Sequence, residues 1–285
     1  MFDETTPRPP MQRARGRAAV ALSASAGRTR LQGLRQEGCA KAFLPRVTGV
    51  PEVVFLNTAG GLTGGDRLDY ALALAPGGAA TATTQTAERA YAASEGAVPA
   101  ELGVTIEVGA GATLDWLPQE TILFDRAALR RTTEIALHGD ASLLTCEALV
   151  LGRAAMGEAV TRLALSDLRR ITRDGRPVIV EPVQIGDAVL AGRAAPAGLA
   201  GARALATLAL VAPGAEDAAG PLRDLSWPEG VRAAVSGWDG RCVVRFMAGD
   251  GWPLRLALAA ALRHLRGQGG GRGDVDGALP RVWQI

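Results

Sequence analysis

The residues of this chain with the clearest chemical potential are carboxylates set inside otherwise apolar stretches. They are Asp66, Glu120, Glu147, Glu158 and Glu181. A buried carboxylate is costly unless a cation pairs with it or water reaches it. Two interpretations therefore stay open, namely structural ion pairs with nearby arginines and the lining of a polar internal cavity.

The first of these acids closes a glycine-rich loop. Between Asn57 and Asp66 the loop contains the glycines Gly60, Gly61, Gly64 and Gly65. Glycine allows φ > 0 and close approach of another surface, so this run predicts a tight loop between two strands that ends in a fixed acid. A phosphate-binding P-loop is disfavoured, because it needs Lys and then Ser or Thr where this chain has Asp66 and Arg67. A strand-connecting turn with no further role stays open.

The sequence lacks the familiar catalytic and metal-binding motifs. It has 2 histidines and 3 cysteines, with no His-x-x-x-His, C-x-x-C or G-x-S-x-G pattern. A closed metal site is not expected, and nothing positive indicates an enzyme. A hydrolase that uses two of the carboxylates stays as a remote alternative. The odd number of widely separated cysteines indicates a reducing compartment without a disulfide framework.

Composition narrows the class of partner. The chain has 285 residues, of which 48% are hydrophobic and 21% charged, enough for a large core in one or two domains. Lys and Arg number 31 against 29 Asp and Glu, so no global field would steer nucleic acid, and aromatic residues at 4% argue against base stacking. No signal peptide and no membrane-spanning run is visible. We expect a cytoplasmic protein without nucleic-acid or membrane partners.

The elements that must position these acids are mostly strands. Apolar and polar residues alternate with period two from Arg17 to Pro182, in short runs separated by Gly- and Pro-containing turns. This pattern predicts a mainly β fold, and the many Ala, Gly and Thr residues suit a β-helix-like or layered architecture. One turn is expected at Ala26-Gly27-Arg28, between two strands of a hairpin.

The C-terminal third predicts about two helices. One or two short helices are expected around Trp227-Pro228, and the clearest helix is Leu254–Leu265, with Pro253 in its first turn. Residues 1–15 are rich in proline and charge and are expected to be a disordered leader, and residues 16–285 to form one domain. Residues 269–273 predict a flexible glycine linker.

Five blocks of the sequence, in order, resemble the urease accessory protein D family, called UreD or, in some organisms, UreH. The blocks are Gly60–Asp66 (GGLTGGD), Leu72–Ala79 (LALAPGGA), Leu114–Phe124 (LDWLPQETILF), Leu149–Glu158 (LVLGRAAMGE) and Pro280–Trp283 (PRVW). Each block alone is weak, but five in register cover residues 16–285. The chain departs from the family pattern at Ala42–Arg46 and at Glu88-Arg89, so no residue role is carried over there.

The resemblance implies a non-enzymatic urease maturation factor of mainly β fold. It implies partners in accessory protein F, accessory protein G (a GTPase) and apo-urease, and nickel that passes through an internal polar tunnel. No tightly bound cofactor is expected, only transient Ni²⁺, since a conduit must bind its ion weakly enough to release it. On this view Glu120, Glu147, Glu158 and Glu181 lie near the path and Asp66 near a mouth or partner face. The alternative is a pure assembly adaptor without metal passage.

Overall fold

Two β-sheets stacked face to face make up most of the chain, and helices cover the outer face of one of them. The computed structural model describes residues 12–267 and 278–284. Its strands are β1 (Arg15–Ser25), β2 (Arg28–Gly38), β3 (Ala40–Phe43), β4 (Glu52–Asn57), β5 (Arg67–Leu74), β6 (Ala79–Thr84), β7 (Glu88–Ala90), β8 (Ala100–Val108), β9 (Thr113–Leu117), β10 (Thr121–Leu123), β11 (Ala127–Leu137), β12 (Ser142–Leu151), β13 (Leu163–Arg173), β14 (Arg176–Gly186), β15 (Ala204–Val211), β16 (Val231–Trp238) and β17 (Arg241–Ala248). Its α-helices are α1 (Asp187–Ala191), α2 (Ala219–Arg223) and α3 (Gly251–Gly267). The mainly β fold class expected from the sequence is confirmed.

The strand order shows how the chain winds between the sheets. The first sheet has the order β14-β13-β11-β8-β5-β1-β2, with parallel pairing from β13 through β1. The second has the order β16-β17-β15-β12-β9-β6-β4-β3, with parallel pairing from β12 through β4, and β10 and β7 branch from β12. Each turn of the central chain thus adds a parallel strand to both sheets, as in a β-helix.

Period-two alternation decides which side chains face the space between the sheets. In β11, Leu129, Thr133 and Ile135 are buried, whereas Arg130 is exposed. Arg131 shares the buried phase. Because Arg131 alternates in step with Leu129 and Ile135, its charged side chain points between the sheets.

Two apolar cores lie on either side of the second sheet. The inter-sheet core includes Leu143 and Leu149 of β12, whereas Leu144 and Cys146 of the same strand face a second core beneath α3. Glu147 has the phase of Leu143 and therefore points between the sheets. The same strand thus supplies apolar packing to both cores and one carboxylate to the inter-sheet space.

The first hairpin follows the prediction. β1 and β2 pair antiparallel, and the turn residues Ala26 and Gly27 have φ of 49° and 71°. A two-residue turn with φ > 0 at both positions matches the twist of the strands it joins. Glycine adopts this conformation freely, whereas Ala26 is held there by the pairing on both sides.

In the C-terminal region one predicted helix is present, and another lies at a different position from the one predicted. The predicted helix Leu254–Leu265 is present as the longer α3, which begins before Pro253. The short helix is α2, preceded by a 3₁₀ turn at Ala215–Ala218, and it ends before Trp227-Pro228. The helix thus lies a few residues earlier than predicted, and Trp227-Pro228 belong to the turn into β16, where the Val231 amide donates to the Pro228 carbonyl oxygen at 3.1 Å. Residues 1–11 of the expected leader and the expected glycine linker lie outside the described residues.

A short C-terminal segment is held against the second sheet. Trp283 is buried, and its Nε1 donates to the carbonyl oxygen of Leu117 at 2.9 Å. Arg255 of α3 lies over the Trp283 ring, 4.9 Å from its centroid, and its Nη2 donates to the carbonyl oxygen of Val282 at 3.1 Å. These contacts join α3, the C-terminal segment and β9 into one unit.

Candidate functional site

Two cavities penetrate the space between the sheets and meet at Arg131 and Glu147, which line both of them. The first has a volume of about 50 Å³. The second is a wider cleft of about 450 Å³. The exposed rim of the first includes Gly60, Gln85, Thr86 and Arg89. The exposed rim of the second includes Val180, Pro182 and Arg245. The two cavities therefore share Arg131 and Glu147 in their walls, and each has exposed residues at its rim; together they are called the path below.

Arg131 stands at the division, and its side chain is only 4% exposed. Its Nε and Nη2 donate to the two oxygens of Asp167, at 2.9 and 2.6 Å. Its Nη1 donates to Thr121 Oγ1 at 3.0 Å. The same Nη1 lies 2.7 Å from Glu147 Oε2, yet the contact lacks hydrogen-bond alignment. The guanidinium is thus held by Asp167 through two directed bonds and by Glu147 through charge alone.

Burial and neighbouring charge set the protonation of this group. Burial by itself would lower the pKa of Arg131, but Asp167 and Glu147 raise it above its ordinary value, so the guanidinium stays charged. Burial raises the pKa of Glu147, and Arg131 opposes that rise. The division of the path is therefore a cation in contact with two acids.

The second cleft has its own acid, Glu181. It accepts a hydrogen bond from Arg169 Nη2 and one from Thr207 Oγ1, the latter at 3.0 Å, and Arg245 Nη2 lies 3.3 Å from its Oε1. Arg169 Nε and Nη1 are buried without a hydrogen-bond partner. In the first cavity, Trp116 Nε1 is likewise buried and unpaired. Unpaired buried polar atoms are costly unless a polar guest reaches them, and Arg169 and Trp116 line cavities in which water has room.

Glu88 of β7 lies in the wall of the first cavity near its rim. Asn57 Nδ2 donates to both of its oxygens, at 3.2 and 3.4 Å, and the Arg89 amide donates to Oε1 at 3.1 Å. Burial raises the pKa of Glu88, while these hydrogen bonds act in the opposite direction. A half-buried carboxylate thus faces the first opening.

The glycine loop forms part of this rim. Gly60, Gly61 and Gly65 have positive φ, at 79°, 152° and 86°. A Cβ at Gly61 would come within 2.3 Å of the Tyr91 ring. The backbone of Gly64 is not left-handed. Glycine is required there because a Cβ would lie 2.9 Å from Ala97 Cβ. The loop is therefore shaped by close approach as well as by backbone geometry.

Asp66 holds this loop from inside. Its side chain is buried, Oδ1 accepts the Ala14 amide and Oδ2 accepts the Thr63 amide, each at 2.8 Å. Both oxygens are thus engaged by backbone, and Asp66 lines neither of the two cavities. Asp66 therefore joins the glycine loop to the segment before β1.

Two further predicted acids also lie outside the walls of the two cavities. Glu120 pairs with Arg255, whose Nη1 is 3.0 Å from Glu120 Oε2. Glu158 accepts the amides of Asp125 and Arg153 at 3.1 Å each and pairs with the Arg153 guanidinium at 2.9 Å. Of the five predicted acids, the structure brings together Glu147 and Glu181.

Sequence reasoning missed Glu88, Arg131, Asp167 and Arg169. A signal existed for three of them. Arg131 is in phase with Leu129 and Ile135, and both Asp167 and Arg169 are in phase with Leu165 and Ile171. Glu88 gave no such signal, because β7 has only 3 residues.

The side-chain groups of the path that can ligate a cation are carboxylates, hydroxyls, amides and the thioether of Met247. Within residues 12–267 and 278–284, no three His, Cys, Asp or Glu side chains are grouped so as to hold a metal ion. In that same part of the chain no helix is long and apolar enough to cross a membrane. The path offers a cation Glu88, the pair Glu147 and Asp167, and Glu181, and the last three contact an arginine guanidinium.

Comparison with known proteins decides the family. The UreD urease accessory protein model matches residues 14–284. The chain is 58% identical to a urease accessory protein UreD of Cereibacter sphaeroides (strain ATCC 17025) over 281 residues, with 98% of each chain covered. The chain belongs to the UreD family. It is also 54% identical to a UreD of Dinoroseobacter shibae, covering 97% of this chain and 94% of that one.

The likeness extends along the whole UreD domain. A UreD of Paracoccus denitrificans (strain Pd 1222) is 48% identical over 286 residues, covering all of this chain and 97% of its own length. Both openings and the Arg131–Glu147 division therefore lie within the matched domain. The resemblance drawn from the five sequence blocks is confirmed.

Proposed function

We propose that this chain is a non-catalytic scaffold of urease maturation that binds apo-urease and accessory proteins F and G and lets Ni²⁺ pass through its interior. Membership of the UreD urease accessory family implies a role in urease maturation. The partners and the passage of nickel go beyond the family name. The observation that carries the passage is the meeting of two cavities at Arg131 and Glu147.

The chemistry of the walls supports transit over storage. Ni²⁺ binds tightly to imidazole and thiolate groups, whereas isolated carboxylates and water hold it weakly. Glu88, Glu147 and Glu181 follow one another along the path, with Thr121 and Thr207 hydroxyls beside them. An ion that meets single oxygen donors can enter and leave, as conduction requires. The first cavity of about 50 Å³ exceeds the roughly 10–15 Å³ that one water needs, so a partly hydrated ion has room.

The cytoplasm is the proposed compartment. Cys39, Cys146 and Cys242 are free thiols in the structure. Unpaired cysteines suit a reducing environment.

The pure adaptor remains the second candidate, and one observation favours it. Glu147 and Glu181 each lie next to an arginine, which is also how a structural ion pair is built. Under that reading the acids hold the sheets together and the partners alone handle nickel.

One experiment separates the two. Wild type, Glu147→Gln and Glu181→Gln are expressed with urease and the other accessory proteins, the complexes are purified, and nickel per urease is measured. The control is Glu134→Gln, an acid of β11 that lies outside both cavities and pairs at 3.7 Å with Arg170. We expect intact complexes throughout, with several-fold less nickel for the two path variants only. Equal nickel in all four would leave the adaptor.

A further inference from the structure

Three acids of the path, Glu147, Asp167 and Glu181, contact an arginine, and the arrangement at Arg131 is asymmetric. Asp167 binds this guanidinium through two aligned hydrogen bonds, and Thr121 accepts a third. Glu147 contacts it at 2.7 Å without hydrogen-bond alignment. Paired, coplanar hydrogen bonds to a carboxylate are the stronger and more specific mode of arginine binding. The contact between Arg131 and Glu147 is therefore easier to break than the contact between Arg131 and Asp167.

The position of Arg131 makes this asymmetry relevant to passage. The guanidinium lines both cavities, so a cation that moves from one to the other must pass it. Glu147 lines both cavities too and is the acid at the crossing. A divalent ion that reaches Glu147 competes for the same carboxylate that Arg131 contacts.

We propose that Arg131 is the release group of the path: it stays anchored on Asp167, yields Glu147 to a divalent cation in transit, and by its charge keeps that cation bound weakly enough to leave. This inference rests on the proposed function. No covalent step is involved, since the event is an exchange of one cation for another at a carboxylate.

The physical reason is charge balance at low dielectric. Glu147 and Asp167 share one guanidinium, and repulsion between that group and a nearby divalent ion is strong where water is scarce. An ion at Glu147 is therefore bound weakly, because the Arg131 guanidinium repels it. Without the Arg131 guanidinium, two carboxylates would face the ion with one competing charge fewer, and the crossing would hold the ion more tightly.

Arg169 offers a contrast within the same cleft. Its Nη2 donates to Glu181, while its Nε and Nη1 have no hydrogen-bond partner. Arg169 therefore lacks a second carboxylate anchor of the kind that Asp167 gives Arg131. The exchange device is assigned to Arg131 alone.

The test compares four variants of the full-length chain with wild type by equilibrium dialysis against nickel chloride, followed by nickel per urease in purified complexes. Arg131→Met should bind one Ni²⁺ at least about tenfold more tightly than wild type, since a competing charge is removed from the site. Nickel delivered to urease should fall. Arg131→Met combined with Asp167→Asn removes one charge of each sign, and the tight binding should be lost again.

Arg130→Met is the matched control, because Arg130 precedes Arg131 on β11 with a side chain 61% exposed. It should behave as wild type. Asp167→Asn alone guards against a folding artefact, since it keeps the arginine but weakens its anchor. That variant should deliver less nickel without retaining any.

The outcomes separate the inference from the function on which it rests. If Glu147→Gln lowers urease nickel but Arg131→Met binds Ni²⁺ no more tightly than Arg130→Met, nickel passage stands and the release role is wrong. If Glu147→Gln leaves urease nickel unchanged, the path itself is wrong, whatever the dialysis shows.

Discussion

Two buried arginines lie on opposite sides of the second sheet, and each is accompanied by acids. Arg131 lies between the sheets with Asp167 and Glu147. Arg266 of α3 lies under the helix, where its Nη1 donates to Asp115 and, at 3.3 Å, to Thr81. Glu52, Thr81 and Asp115 stand in register on the adjacent strands β4, β6 and β9. The two clusters are alike in composition and in burial.

They differ in the space around them. The Arg131 cluster lies where two cavities meet, whereas Arg266, Glu52 and Asp115 line neither of those cavities. A buried ion pair against packed neighbours fixes the position of an element, here the end of α3. The same pair beside open volume can exchange partners. Charge composition alone therefore does not distinguish a clamp from a path.

The largest expected effect comes from removing Arg266 from its buried cluster with Asp115 and Glu52. Arg266→Ala removes the buried guanidinium that donates to Asp115 and Thr81, which should lower the free energy of unfolding by about 3–5 kcal/mol. Arg263→Ala, an exposed arginine of the same helix, should stay within about 0.5 kcal/mol of wild type. Denaturant unfolding measures both. Nickel per purified complex should be unchanged in each, and a loss there at normal stability would erase the distinction between the clusters.

A buried acid held by backbone sharpens the comparison. Asp66→Ala leaves the Ala14 and Thr63 amides without their acceptor, and we expect a loss of about 1–3 kcal/mol in unfolding free energy. Asp69→Ala, in the half-exposed pair with Arg67, should cost less. Thermal unfolding of the two variants, side by side, checks this. If Asp66→Ala left stability unchanged but abolished urease activation, Asp66 would have a functional role and not a structural one.

The smallest effect concerns pH. Burial raises the pKa of Glu52, and Arg266 opposes the rise. A carboxyl with a raised folded-state pKa contributes stability below its unfolded pKa of about 4.3, and that contribution is lost as pH rises through the folded pKa. Glu52→Gln does not titrate there. It should therefore be more stable than wild type at pH 7, with the gap closing below about pH 4.

Melting curves across that pH range measure the gap, and the same variant completes the comparison. Glu52→Gln should leave nickel per urease unchanged, whereas Glu147→Gln should lower it. A gap that widens on acidification would show that the ionised form of Glu52 is the stabilising one, contrary to this account.

The sequence allowed the fold class and part of the site to be predicted, for a physical reason that also sets the limit. Glu147 and Glu181 stood out because each interrupts an apolar run. Asp66, Glu120 and Glu158 stood out in the same way, yet their oxygens are taken by backbone amides or by an arginine outside the cavities. An isolated acid marks a buried carboxylate and does not show what it faces.

The arginines were harder to identify because they stand in charged runs. Arg130 and Arg131 are adjacent, and only the register of β11 turns the second inward. Asp167 and Arg169 lie in a strand that also exposes Ser166 and Arg170. Phase against Leu165 and Ile171 was available, but the cavities depend on how two sheets pack. That packing is set by pairings between residues far apart in the chain.

The contact between Trp283 and Leu117 has a consequence for synthesis. These residues are 166 positions apart, so the hydrogen bond between them closes only when almost all of the chain has been made. The winding strands can assemble in the order in which the ribosome releases them, each on the one before. The outer face of the second sheet has to wait for α3 and the final segment. Apolar residues of that face such as Leu117 and Leu144 therefore stay uncovered until the C-terminal third of the chain has been made.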